Sequence, residues 1–327
     1  MPGYFVVESP KIENFDDKLS KNPQIKKLIQ DIPTLLSNEI KEEALKVVHT
    51  VLQEARTGKI IDKTKIKEIV NKLVEEIISK HQDSLINLMD IRSHDKYTFS
   101  HSINVCTLAT LIGIKEKLKK KELGDLALGA LLHDLGKTMI SQKILEKPER
   151  LSRNEFEEIK KHPLYGYNIL LEGEEISEIS KMIVYTHHER YDGEGYPQGL
   201  TGDKIPQLVV VTSLADVYDA LTTDRPYRKS LLPYDAMRII ISHTYSNFSE
   251  EAVRFLLKVM SIYPLGSLVK LNTAEIGLVI KVNEHALVRP TIRILIDAQG
   301  EIVSPSRIQD IDLSKNTSMF VVKSVSE

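Results

Sequence analysis

Two pairs of ionisable residues at the ends of apolar stretches constrain this chain more than any other feature. His133 and Asp134 follow the apolar run 127–132, and His187 and His188 close a helical stripe of isoleucines. Imidazole and carboxylate groups are costly to bury unless a positive charge or hydrogen bonds compensate them. We therefore expect both pairs at the ends of buried helices, compensated by a metal centre.

Three further residues have the position and chemistry of metal ligands. His101 lies on an inward-facing helical stripe, and Asp216 lies on a helix face of small and polar residues. His162 precedes Pro163, which favours an extended conformation where a helix begins. Each residue alone could have an ordinary structural role, but that explanation would have to hold for all candidates at once. The seven candidate ligands are His101, His133, Asp134, His162, His187, His188 and Asp216.

Ligand chemistry narrows the choice of metal. Five imidazoles and two carboxylates suit Fe, Mn, Zn or similar borderline ions. The set contains no thiolate, which argues against a structural zinc site of the cysteine type.

The order and spacing of these motifs resemble the HD-GYP family, over about residues 40–290. This branch of the HD phosphohydrolase superfamily hydrolyses bacterial cyclic dinucleotides. The resemblance implies two divalent metal ions, Fe or Mn foremost with Zn or another ion as an alternative, bridged by Asp134. Some relatives hold a third metal through a carboxylate four residues before the first histidine. That position is Tyr97 here, so we expect two ions.

The resemblance also implies substrate contacts. Lys137 resembles the family's phosphate-contacting lysine, and Asp134 and Lys137 are the candidate catalytic residues. Arg225 and Arg228 match a basic pair, and arginine suits the planar recognition of phosphate or guanine edges. The segment Gly195-Tyr196-Pro197 corresponds to the GYP motif, which is associated with substrate handling and with contacts to partner proteins. Any one of these cations could instead be a solvated surface residue.

Three functions are compatible with these motifs. The first is hydrolysis of cyclic di-GMP to linear pGpG by a metal-bridging hydroxide, with GMP as a further product left open. The second is an HD hydrolase of mononucleotides, against which the complete GYP segment argues. The third is a catalytically weak cyclic dinucleotide sensor or interaction protein, but such proteins usually lose ligands and all seven are present here. We expect the phosphodiesterase, while the exact dinucleotide, including a mixed cyclic GMP-AMP, stays open.

Composition excludes several classes of protein. The 44 basic and 46 acidic residues give a net charge of −2 without a basic tail, which argues against binding to a nucleic-acid polymer. No apolar run approaches the roughly 18 residues of a membrane span. The single cysteine, Cys106, suits a reducing compartment. We expect a cytoplasmic protein without membrane association, and a homodimer and a protein partner at the GYP segment stay open.

The hydrophobic pattern predicts a mainly α fold, an HD-type helical bundle with an N-terminal helical extension and a small C-terminal β appendage. Apolar residues recur at three- and four-residue steps from about residue 23 to 262, with a break at Thr57-Gly58. Beyond this point, β-branched stretches alternate with turn residues. The predicted regions are an N-terminal segment and helical extension over 1–60, an HD-GYP catalytic helical domain over 61–262 and a small β-rich region over 263–327.

Two local features also follow from the sequence. The strand candidates are 268–271, 276–282, 291–296 and 319–322. Gly136 is expected to end the preceding helix in a left-handed cap, because glycine adopts that conformation without steric cost.

Overall fold

Most of the chain is helical. A computed structural model describes residues 35–80, 97–172, 176–223, 230–260, 262–263, 265–283 and 286–325. The helices are α1 (Asn38–Arg56), α2 (Lys63–Lys80), α3 (Tyr97–Lys115), α4 (Lys120–Leu132), α5 (Gln142–Leu145), α6 (Arg153–Ile159), α7 (His162–Leu171), α8 (Glu178–Thr186), α9 (Gln207–Thr222), α10 (Pro233–Ser242) and α11 (Glu250–Val259). The predicted mainly α fold is confirmed. No helix in these ranges is both long and apolar enough to cross a bilayer.

Local sequence signals set several helix ends. Ser152 accepts the backbone N–H of Glu155, and the Glu155 carboxylate accepts the N–H of Ser152, so α6 begins with a capping box. The predicted break after α1 is confirmed: Thr57 caps the helix, and Gly58 adopts a φ of 69°. A positive φ favours glycine because a Cβ would clash there.

One continuous apolar core joins the helices between Leu35 and Met260. Leu73 of α2, Leu126 of α4 and Ile183 of α8 are fully buried in it. Each such side chain contributes about 1.5–3 kcal/mol by leaving water. The core therefore fixes the ends of α4 and α8, which the two ionisable pairs follow.

A five-stranded antiparallel sheet, the predicted β appendage, follows the helices. The strands are β1 (Leu268–Leu271), β2 (Ile276–Lys281), β3 (Thr291–Ile296), β4 (Asp310–Asp312) and β5 (Val321–Val325), in the order β4-β3-β2-β1-β5. Three strands lie where predicted, but β5 begins two residues later than expected. The three-residue β4 contains a single apolar residue, Ile311, and was not predicted. Tyr263 packs in one apolar cluster of the sheet and stacks on Tyr234 of α10, with ring centroids 5.7 Å apart.

Two local predictions are wrong. Gly136 is no left-handed cap but lies in a 3₁₀ turn, Leu135–Met139. A Cβ there would lie 1.9 Å from the carbonyl oxygen of His162, so the glycine is required by close approach of this turn to α7. His162 lies in the first turn of α7 rather than in extended backbone, because Pro163 needs no N–H partner at a helix start.

Candidate metal centre

The seven candidate ligands converge from five helices. Five of them are buried, and His188 and Asp216 are half-buried. The contributions are His101 near the start of α3, His133 and Asp134 after α4, His162 at the start of α7, His187 and His188 after α8, and Asp216 within α9.

Asp134 lies between two groups of histidines. Its Oδ1 is 3.4 Å from His162 Nε2 and 4.0 Å from His187 Nε2. Its Oδ2 is 3.4 Å from His133 Nε2 and 3.7 Å from His101 Nε2. On each side of the carboxylate, the candidate ligand atoms lie within 4.8 Å of one another. A carboxylate with one oxygen facing each nitrogen cluster can serve two cations at once.

Each cluster has one further member. His188 joins the side of Oδ1, with its ring centroid 4.1 Å from that of His187. Together with His162 these residues form the three-histidine group. Asp216 joins the other side, where its Oδ1 is 3.2 Å from His101 Nε2. His101, His133 and Asp216 form the Asp216 group.

The Nε2 atoms of His162 and His187 face each other as acceptors. Each ring donates from Nδ1 to a carbonyl oxygen, that of Ile159 at 2.7 Å and that of Val184 at 3.0 Å. Burial lowers the pKa of His162 to about 3 and holds the pKa of His187 well below 6.5, so both rings are neutral near pH 7. The two Nε2 atoms are only 3.3 Å apart. Lone pairs at this distance repel each other unless a cation binds both.

Two buried atoms at the centre have no hydrogen-bond partner among the described residues, His133 Nε2 and Asp134 Oδ1. The Nδ1 of His133 donates to the carbonyl oxygen of Ala130 at 2.8 Å, so its Nε2 carries a lone pair. An unsatisfied buried polar group costs about 1–3 kcal/mol. Divalent ions would satisfy both atoms, and the imidazole and carboxylate donors fit Fe²⁺, Mn²⁺ or Zn²⁺.

Both candidate carboxylate ligands are ionised despite their burial. Burial alone would raise the pKa of Asp134, but the charge of Lys137 holds it well below 3.8. Burial likewise opposes ionisation of Asp216, and a hydrogen bond from His101 keeps its pKa well below 3.8. The centre therefore has the negative charge that bound cations require.

Asp219 orients His101 from outside the two groups. Its Oδ2 accepts the Nδ1–H of His101 at 2.7 Å, and its Oδ1 accepts from Asn104 Nδ2 at 2.8 Å. Burial lowers the pKa of His101, but hydrogen bonds to Asp216 and Asp219 raise it to about 9. The sequence alone does not single out Asp219 or Asn104 for this role. The available signal was the three-residue spacing from His101 to Asn104, which places both on one helix face.

Lys137 lies beside Asp134. Its Nζ is 2.6 Å from Asp134 Oδ2, and 33% of its side chain is exposed. The ammonium can therefore reach both the centre and an anion that approaches from solvent.

The segment Gly195-Tyr196-Pro197 lies against the three-histidine group. The Tyr196 ring stacks on that of His188, with centroids 4.7 Å apart and planes inclined by 28°. Gly195 has no room for a side chain, because a Cβ would lie 2.5 Å from Glu189 Cα. Pro197 is exposed beside them. Sequence reasoning missed Lys160, whose Nζ lies 5.6 Å from the Tyr196 ring centroid.

Several predicted features lie outside the described residues. Arg225 and Arg228 fall in the gap 224–229, so their substrate contacts stay predictions. The count of two ions, which rests on a tyrosine at position 97, likewise stays a prediction.

Two known family profiles match separate parts of this chain. The sequence profile of the HD domain matches residues 72–250. That of the KOW domain associated with HD domains matches residues 268–327.

Individual relatives agree with these matches. The chain is 30% identical over 292 residues to a cyclic di-GMP phosphodiesterase of Pseudomonas aeruginosa, covering 88% of this chain and 70% of the relative. It is 33% identical over 196 residues to a cyclic di-GMP phosphodiesterase of Thermotoga maritima, covering 58% of this chain but only 53% of that relative. An HDG"Y"P protein from Bdellovibrio bacteriovorus shares the fold, with a TM-score of 0.55 at 23% identity over 66% of this chain and 69% of that one.

Proposed function

This chain belongs to the HD domain family, in its HD-GYP branch, and we propose that it is a metal-dependent phosphodiesterase that hydrolyses cyclic di-GMP to linear pGpG. The observation that carries the proposal is the position of Asp134, which presents one oxygen to each of two nitrogen clusters. This arrangement suits two divalent ions, with Fe or Mn preferred. We also propose GMP as a further product.

The residues of this chain divide the work of the proposed reaction. When bound, two divalent ions would provide a hydroxide at neutral pH and stabilise charge on the phosphate oxygens. A water oxygen forms a bond to phosphorus, the bond from phosphorus to the 3′ oxygen breaks, and that oxygen takes up a proton. Lys137 donates to an oxygen of the reacting phosphate, and Arg225 and Arg228 hold a guanine edge or the second phosphate.

Product analysis tests this proposal. The protein is purified without oxygen, its metal content is measured, and it is incubated with a panel of cyclic dinucleotides and mononucleotides. We expect pGpG from cyclic di-GMP, and none from the Asp134→Ala variant. Binding of cyclic di-GMP without turnover at full metal content would identify a sensor instead. Turnover of mononucleotides alone would identify the other class of HD hydrolase.

Three further properties are proposed from the sequence alone. They are a cytoplasmic location, a homodimer and a protein partner that binds at the GYP segment. The regions 1–60, 61–262 and 263–327 are likewise proposed as the units of the chain.

A further inference from the structure

His188 differs from the other candidate histidine ligands in how its ring is held. His133, His162 and His187 each donate from Nδ1 to a carbonyl oxygen, and His101 donates to Asp219. Among the described residues, no hydrogen bond to the His188 ring is found. Packing is therefore what orients this ring. The orientation matters because a metal ligand gains affinity when its ring is held in a fixed position.

The packing partner of His188 is Tyr196. The two rings are stacked, with centroids 4.7 Å apart and planes inclined by 28°. The backbone N–H of Tyr196 also donates to the carbonyl oxygen of His188 at 3.2 Å, so ring and backbone of the tyrosine contact the same residue. Aromatic pairs favour an offset stack at this separation.

The loop around Tyr196 is held in place by the buried carboxylate of Glu189. Glu189 Oε1 accepts the backbone N–H of Gln198 at 2.7 Å, and Oε2 accepts that of Leu200 at 2.8 Å. Charge-assisted hydrogen bonds to backbone N–H groups are among the stronger ones in proteins. Glu189 directly follows His188, so one short segment carries both the candidate ligand and the anchor of the loop that covers it.

We propose that Tyr196 is a positioning residue for His188, and that Glu189 holds the loop 193–200 so that the tyrosine ring keeps the imidazole aimed at the three-histidine group. The inference rests on the proposed metal centre and gives the GYP segment a role in metal binding besides substrate contact. The metal ion on the Oδ1 side of Asp134 should depend on Tyr196. The ion beside the Asp216 group should not.

Titration of the metal-free protein with Mn²⁺, followed by calorimetry and by metal analysis after dialysis, tests the proposal without substrate. Tyr196→Leu removes the flat ring and is expected to weaken one of two Mn²⁺ sites about 10- to 100-fold. Tyr196→Phe keeps the stack and should restore parental binding. Glu189→Ala frees the loop while leaving the tyrosine in place, and should weaken the same site.

The matched control is Tyr234→Leu. This tyrosine is also half-buried and stacked, on Tyr263, but it belongs to the apolar cluster at the sheet. It should retain both Mn²⁺ sites, so a general loss of stability cannot imitate the expected result. If Tyr196→Leu and Glu189→Ala both bind Mn²⁺ like the parent, the positioning role is refuted, even if cyclic di-GMP binds more weakly. That outcome would leave the proposed phosphodiesterase intact, whereas absence of Mn²⁺ binding in the parent would remove both.

Discussion

At the scale of single residues, the centre depends on side chains that orient the candidate ligands. Asp219 is such a residue, because its Oδ2 accepts the Nδ1–H of His101 at 2.7 Å. Asp219→Ala should therefore weaken Mn²⁺ binding at the Asp216 group by about 10- to 100-fold, as is typical for residues that orient a metal ligand. Calorimetric titration measures this, and an unchanged affinity would exclude the orienting role. Asn104→Ala removes only a hydrogen bond to Asp219 and should have a smaller effect.

Variants of Lys137 and of the two arginines should distinguish effects on the chemical step from effects on substrate binding. Lys137 Nζ lies 2.6 Å from Asp134 Oδ2, so Lys137→Met should lower kcat more than the affinity for cyclic di-GMP. Replacing Arg225 and Arg228 with alanine should leave metal content intact and weaken binding by about 1.5–3 kcal/mol for each lost contact. Single-turnover rates and equilibrium binding of the two variants make the comparison. If the double arginine variant binds as tightly as the parent, these residues do not hold the dinucleotide.

At the scale of elements, the 3₁₀ turn after Asp134 must approach the start of α7 closely. A Cβ on Gly136 would lie 1.9 Å from the His162 carbonyl oxygen and 2.4 Å from the Gly166 nitrogen. Gly136→Ala should therefore lower the free energy of unfolding by about 1–3 kcal/mol and reduce metal content, because Asp134 and His162 are pushed apart. Gly124→Ala on α4 is the control, since nothing lies within 4 Å of its Cβ position, and it should stabilise by about 0.5–1 kcal/mol. Urea unfolding measures both, and equal effects would contradict the close approach.

The same turn shows which features of an element the sequence does not predict. The helices were predictable because apolar spacing and serine caps are local signals. The role of Gly136 was not, since the atoms it avoids belong to α7. The role of Asp219 also depends on packing, here of α9 against α3. Four of the seven candidate ligands, His133, Asp134, His187 and His188, could be found because a histidine or aspartate that ends an apolar run is conspicuous within a few residues.

At the scale of the whole molecule, buried histidines make the stability of the metal-free protein depend on pH. Burial lowers the pKa of His162 to about 3 and that of His188 to about 4, while the unfolded value is 6.5. The unfolded chain therefore binds protons first, and stability should fall as the pH drops from about 6.5 towards 4. For His101 burial again lowers the pKa, but carboxylate hydrogen bonds raise it to about 9, so its contribution is present below pH 6.5 and is lost as the pH rises through 9.

Urea midpoints of the metal-free protein between pH 4 and pH 9 should thus be highest near neutrality. His188→Asn should flatten the acid side of the profile, because it removes one of the groups that become protonated on unfolding. A midpoint that stays constant from pH 7 to pH 5 in the unmodified protein would show that these rings are not held neutral.

Anomalous scattering from crystals grown with Mn²⁺ measures the proposed central feature, a carboxylate shared by two ions, most directly. We expect two ions per chain, one bound by each oxygen of Asp134, with the three-histidine group around the first and the Asp216 group around the second. Asp134→Ala should lose most of both. A single ion, ions that do not contact Asp134, or a third fully occupied ion in the unmodified protein would contradict the two-metal centre.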